Sequence, residues 1–290
     1  MTSSDLLGLF RAEMRDVVAP YLWEDTEFFG YLDEAQTRFC RDTSGIADAR
    51  TPAVTWLNVV PGTDWYSTHV SILNVRKITR GDTGQPVTML TAEQADTASV
   101  IFLPTLTGML KYVVLGIEAR AVRMSPMPVA PSGLVTVSSA STLTGSAVVS
   151  LASTLNLVAG MGLTAAGMPP GAVIVSVVTN ASVTMSAAAT ADMPLGTALA
   201  FGIVLNLSVY RKPLVTITDD GDQTLEVGAE HQTALLHWVK HRAYDKQDSE
   251  GSDAKKSADF ETRFTAYCAK AKEEEIRARR VQGNTAYGGI

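Results

Sequence analysis

Apolar residues recur at helical spacing in two stretches near the start of the chain. Leu6, Phe10, Met14 and Val17 form one stripe behind Ser3 or Ser4, either of which can cap a helix there. Pro20 interrupts the stripe. Asp25 can cap a second helix carrying Phe28, Leu32, Ala35 and Phe39 on one face, with Gly45 beyond its end. From about residue 53 to 123 the pattern is that of strands. VTWLNVV, STHVSILNVRKI and YVVLGIEARAVRM are rich in β-branched and aromatic residues, with Gly, Asp and Pro clusters between them. RGDTGQPV reads as a turn, so the Arg80–Asp82 tripeptide inside it is taken as turn chemistry.

Residues 130–203 are Ala, Ser, Thr, Val and Gly throughout, yet patterned. Val135 and Val137 alternate with Thr136 and Ser138; Val173, Val175 and Val177 repeat the alternation; Val183 and Met185 come next. Such positions between Gly and Pro turns describe short antiparallel strands with one buried face. Leu199, Phe201, Ile203, Leu205, Leu207 and Val209 alternate across the exit, so one strand is expected to leave the segment and re-enter a host sheet. With 130–203 excised, MSPMP runs straight into LNLSVYRKPLVTI. The segment reads as an insertion.

Helical spacing then returns. HQTALLHWVKHRAYDK sets Leu235, Leu236, Val239 and Ala243 on one stripe, and a long helix beginning near Lys256 carries Phe260, Phe264, Tyr267 and Ala271. Glu273–Arg277 and Glu275–Arg279 are i,i+4 pairs with the acid first, the favourable order. The fold class expected is α+β. N- and C-terminal helices pack as a bundle with a central β region, and an all-β, sandwich-like domain is inserted. The boundaries are 1–129 for helices and β region, 130–203 for the insert, and 204–290 for return strands, helical pair and tail.

Charge sharpens this division. The chain is 19% charged, but between Arg123 and Arg211 the only charged residue is Asp192. Within that stretch, 147–168 is uncharged and of spanning length. Its Ser, Thr, Asn and Gly residues and the lack of basic flanks argue against a membrane segment. A net charge of −6 gives no general affinity for nucleic acid. Cys40 and Cys268 have no metal or redox spacing and read as buried thiols, with a single staple as the alternative. MTSSDLLGLFRAEMRD is acidic where a signal peptide is basic, so synthesis in a host cytoplasm is expected.

His237 and His241 stand four apart on one helix face, as zinc ligands do, but the metalloprotease glutamate is replaced by Trp238. Asp219, Asp220 and Asp222 resemble a fragment of a calcium loop without its terminal glutamate and read as a turn. The chain carries no phosphate loop, dinucleotide fingerprint or nucleophile elbow. No enzyme, cofactor or metal is expected.

The opening block, LLGLFRAEMRDVVAPYLWEDTEFFGYLDEAQTRF, resembles that of tailed-phage head–tail adaptor (connector) proteins, with Trp23, Asp25, Leu32 and Ala35 in the matching places. LLHWVKHRAYDKQDSEGSDAKKSADFETRF is similar to that family's C-terminal helical pair, through Arg242–Tyr244, Phe260 and Phe264. MSPMP and SVYRKP resemble the two sides of its central β segment. The resemblance implies a virion protein at the head–tail junction, a homo-oligomeric and dodecameric ring beneath the portal. Its implied partners are the portal protein, a tail (nozzle or tube) protein and its own copies, with genomic DNA only passing through and no membrane. Phe260, Phe264, Tyr267, Arg277, Arg280, Tyr287 and Ile290 are the contacts it implies with portal or neighbouring subunits, the tail ordering on the portal. The alternatives are another tail or decoration protein acting through its β-domain and, remotely, a zinc hydrolase using His237 and His241.

Overall fold

The computed structural model describes residues 1–290 except 60–62, 82–83, 99, 101–106, 109, 129–134, 156, 158, 170–171, 219–221, 247–251 and 280–290. The fold is mixed α+β and divides into two compact units, Met1–Ala47 with Arg211–Ile290, and Asp48–Tyr210. Among the described residues no helix is long and apolar enough to cross a membrane.

The first unit is helical and draws on both ends of the chain. Helices Ser3–Met14, Asp25–Asp42, Leu235–Asp245 and Ala254–Arg279 enclose one core. Leu6, Phe10, Phe28, Leu32, Ala35, Phe39, Leu235, Val239, Ala243 and Phe264 are buried in it, the stripes expected from spacing. Trp23 joins the two pairs. Its ring lies edge-on to Phe10 at 5.8 Å and to Tyr244 at 6.1 Å, and its Nε1–H donates to the Ala243 carbonyl at 3.0 Å. Ion pairs Lys240–Glu13, Arg242–Glu34 (3.1 Å) and Lys246–Glu27 (2.5 Å) run along the same seam.

Both early helices begin differently from the expectation set by spacing. Thr2, not Ser3 or Ser4, is the first N-cap: Thr2 Oγ1 accepts from Asp5 N–H at 3.2 Å, and Asp5 Oδ2 accepts from Thr2 N–H at 2.9 Å. Ser3 is instead buried, its Oγ accepting from Gln223 N–H at 3.1 Å. Glu24 caps the second helix without a side-chain bond, which leaves Asp25 in the first turn to pair with Arg11. Val17 leaves the stripe because Arg15 turns left-handed (φ 58°) and ends the helix. Residues 17–22 are consequently exposed, between a buried Asp16 and a buried Trp23. Asp16 holds that loop by accepting from the Leu22 and Trp23 amides at 3.0 and 3.3 Å.

The second unit is built on strands and has two cores. One contains Val54, Val59, Ile78, Val113, Val122, Met124 and the stretch Ile203–Val209. It is covered by a four-stranded sheet in the order Trp65–Ser67, Ala121–Ser125, Tyr112–Leu115, Thr88–Thr91, whose last pair is parallel. The other core draws only on residues 140–201. The 19-residue strand Met193–Arg211 serves both: Leu199 and Phe201 enter the second core, Ile203, Leu205, Leu207 and Val209 the first. The alternation expected from Leu199 to Val209 is therefore one unbroken strand contributing to two cores.

Strands around the second core close on themselves. Val135–Thr142 pairs with Met193–Arg211 and with Val148–Leu151, which pairs with Ser182–Met185, which pairs with Ile174–Val178. Gly162–Thr164 returns to the far side of Met193–Arg211. Bonds from Ile174 N to Met161 O (2.8 Å) and from Leu163 N to Ala172 O (2.9 Å) shut the circuit into a small barrel with few free edges. Val173, Val175 and Val177 do not share one inner face here. Ile174 is buried and Val175 points outward, because a register shift between Ile174 and Ser176 advances the strand by one residue. Val183 and Met185 are buried as the alternation implied. In the Arg80 turn, Gly81 N–H donates to Val204 O at 2.6 Å, and Asp82 lies outside the described residues.

Candidate interaction site

The C-terminal helix is the element on which the expected contacts fall. Asp253 starts it, its Oδ1 accepting from the Lys255 and Lys256 amides at 3.1 Å each; the bond from Lys256 chiefly holds the carboxyl below its ordinary pKa. Ser257 then ties this helix to its partner. Its Oγ donates to His241 O at 3.2 Å, and His241 Nδ1 lies 3.1 Å from Ser257 O.

The candidate residues divide by environment. Phe264 is fully buried against Trp238 at 5.4 Å and belongs to the unit's own core. Phe260 is half-buried, stacked on Tyr244 (5.9 Å, 3° between planes) and facing His237 at 6.1 Å, with Lys240 and Arg263 over its ring at 5.3 and 5.4 Å. Tyr267 is half-buried; its hydroxyl donates to Glu230 O at 3.2 Å and lies 3.0 Å from His231 Nδ1. Burial pushes the Tyr267 hydroxyl pKa up. Arg277 is exposed and pairs along its own helix with Glu273 at 3.4 Å. The Arg279 side chain, Arg280, Tyr287 and Ile290 lie outside the described residues, as do Asp219 and Asp220.

Past Ala271 the helix leaves the core. Lys272, Glu273, Glu274, Ile276, Arg277 and Ala278 are exposed, with only Glu275 half-buried. Here a large aliphatic side chain, Ile276, stands among charges. Stripe patterns in the sequence do not include it; a lone Ile within KEEEIRAR is the signal that would have marked it.

The two histidines serve different contacts. His237 stacks on Phe260, its Nδ1 is buried without a partner, and burial, reinforced by Lys240 and Arg263, lowers its pKa. His241 packs on the Trp238 ring at 4.8 Å. Among the described residues no group of three or more His, Cys, Asp or Glu could hold a metal ion. Cys40 and Cys268 are both free and buried, and burial pushes each thiol up to about 12.

A family model described as SU10 adaptor protein matches residues 1–286, nearly the whole chain. The chain belongs to the SU10 adaptor protein family. As an SU10 adaptor it is a structural component of a phage virion that works by contact with other head or tail proteins, and its family is not an enzyme class. No curated protein is similar enough to count as a relative of this adaptor. The geometry of its C-terminal helix suits that role: an anchored first half, packed through Ser257, Phe264, Cys268 and Ala271, and a charged, projecting second half.

Proposed function

We propose that this adaptor forms a homo-oligomeric ring beneath the portal, extends the channel through which DNA leaves the head, and gives the tail protein its docking platform. The observation that carries the reading is the projecting end of helix Ala254–Arg279. It is fixed at its base by Phe264 and Cys268, yet from Lys272 onward it offers Ile276 and Arg277 to solvent. A partner docking there meets a preformed helix, which keeps the entropic cost of binding low. Arg280, Tyr287 and Ile290 continue that contact, Tyr287 and Ile290 as apolar anchors. A net charge of −6 suits a channel that passes DNA without holding it.

Residues 130–203 form a separate inserted β-domain in this reading. Val135 stands opposite Phe201 in register, which brings the two ends of the segment side by side. A chain bridged by a short Gly-Ser linker in place of 130–203 should keep its helical circular dichroism and cooperative melting.

The test of the ring uses purified portal and adaptor. Averaged images of the complex should show a closed adaptor ring in register with the portal. Truncation after Gln282 should leave the melting temperature of the free adaptor unchanged while weakening portal binding. Equal binding by truncated and full-length chains would remove the tail from the interface, and a complex without a closed ring would refute the reading as a whole.

A further inference from the structure

The outer strand of the four-stranded sheet has a single partner strand among the described residues. Trp65–Ser67 runs antiparallel to Ala121–Ser125, with Trp65 opposite Arg123, Tyr66 opposite Val122 and Ser67 opposite Ala121. Bonds from Met124 N–H to Asp64 O (2.7 Å) and from Thr68 N–H to Arg120 O (2.8 Å) set the phase of that ladder. Asp64, Tyr66 and Thr68 therefore turn their main chain inward, and the amides and carbonyls of Trp65 and Ser67 turn outward. No described strand stands on that side.

This edge is bare and held ready. Its register is unbroken, and Trp65–Ser67 carries no proline, lysine or bulge, the usual guards of an open edge. Asp64 pairs with Arg123 at 2.9 Å, and the Arg123 guanidinium lies over the Trp65 ring at 5.1 Å. Arg120, whose carbonyl takes the Thr68 amide, sits at φ 59°, a strained conformation for a residue with a side chain. Tyr66 and Val122 face the core, so Trp65 and Ser67 face away from it. Beside them is a recess of about 390 Å³ lined by Trp65, Ser67, Val70, Ala119, Arg120 and Ala121. Val70 and the two alanines make it apolar, while Glu118 and Arg120 bring opposite charges to its wall.

We propose that this edge takes an extended arm of the tail protein as a fifth strand. A row of open amides and carbonyls is matched by another extended main chain, so the chemistry of the edge itself names a strand as the occupant. Side chains of an added strand alternate between faces, and one beside Trp65 and Ser67 enters the recess. That position selects an uncharged, apolar residue, since Glu118 and Arg120 leave no net charge for a charged one to meet. The inference rests on the reading that this adaptor carries the tail and meets the portal through the end of helix Ala254–Arg279. It names the element that the tail grips.

The test compares hydrogen exchange of the full-length adaptor in heads made without tail protein and in complete virions. The Trp65 and Ser67 amides, resolved by overlapping peptides, should exchange freely in tailless heads and at least about tenfold more slowly once the tail is joined. Ser67→Pro removes one outward amide without touching the ladder to Ala121–Ser125, whereas Ser67→Ala keeps it. Heads carrying Ser67→Pro should join tails at least about tenfold less well than wild type, and Ser67→Ala heads should match wild type. Exchange unchanged by the tail would overturn the inference. So would protection already complete in tailless heads, which would give the edge to the portal or to a second adaptor copy. Ser67→Pro heads that take tails normally would overturn it too; where that variant does not enter heads, the exchange comparison decides alone. The function above is judged separately. Heads whose adaptor forms no closed ring on the portal would sink that reading, and a closed ring whose edge stays unprotected would sink only the strand contact.

Discussion

Trp23 is where the two ends of the chain meet, and replacing it by Phe gives a number that can be checked. The indole is buried, and its Nε1–H donates to Ala243 O at 3.0 Å. Ala243 lies in the last turn of helix Leu235–Asp245, where carbonyls run out of helical amide partners. Phenylalanine keeps an aromatic ring beside Phe10 and Tyr244 but has no donor, so a buried carbonyl loses its bond at a cost of about 1–3 kcal/mol. The smaller ring also leaves a void of roughly 40 Å³, worth about 1 kcal/mol at the usual cavity cost. Trp23→Phe should therefore destabilise the helical unit by about 2–4 kcal/mol. With a urea slope near 2 kcal/mol per molar, the unfolding midpoint drops by about 1–2 M. The readout is circular dichroism at 222 nm, because the long described helices all lie in this unit. A loss under about 0.5 kcal/mol at unchanged slope would refute the claim that this bond closes the bundle.

Burial holds the His237 pKa below its ordinary value, with Lys240 and Arg263 pushing the same way and Glu13 and Asp259 opposing. The folded protein thus binds a proton less readily than the unfolded chain, and stability should fall as pH drops below about 6.5; His237→Gln should flatten that slope in urea titrations at about pH 7.5 and 5.5. Ellman's reagent should label neither Cys40 nor Cys268 promptly in the native protein and both in urea, since burial raises each thiol to about 12; immediate native labelling would contradict it. At Gly162 an added Cβ would sit 2.3 Å from Asn58 Oδ1 and 2.7 Å from Val204 Cγ2, so Gly162→Ala should cost about 1–3 kcal/mol. Asn58→Ala, which also gives up the bond from Asn58 Nδ2 to Leu163 O (3.0 Å), should make the double variant less destabilised than the sum; strict additivity would show that the clash is relieved elsewhere.

The helices of the bundle were legible because their stripes are strong. Phe28, Leu32, Ala35 and Phe39 recur over three turns and all are buried, and Leu199 to Val209 announced one strand serving two cores. What spacing could not reveal depends on contacts far along the chain. Ser3 looked like a cap and is drawn inward by Gln223; Val175 looked buried and is turned out by a shift against Met185 and Thr184. The same limit applies to the candidate site. Phe260 and Phe264 are indistinguishable by period, and only the Tyr244 and His237 rings beside one and Trp238 beside the other separate a half-buried stack from a core residue.

The pairing of Trp23 with Ala243 also sets an order on synthesis. Some 220 residues separate them, so at ribosomal speeds the first two helices wait roughly 10–45 seconds for the segment that covers Phe28 and Phe39. During that interval the strands of 48–210 are already out, and a newborn chain carries a finished β body ahead of an open aromatic face. A phage making many copies at once therefore brings unfinished subunits together while that face is bare. Depletion of host chaperones during expression should therefore lower the yield of folded protein while leaving protein already folded unaffected.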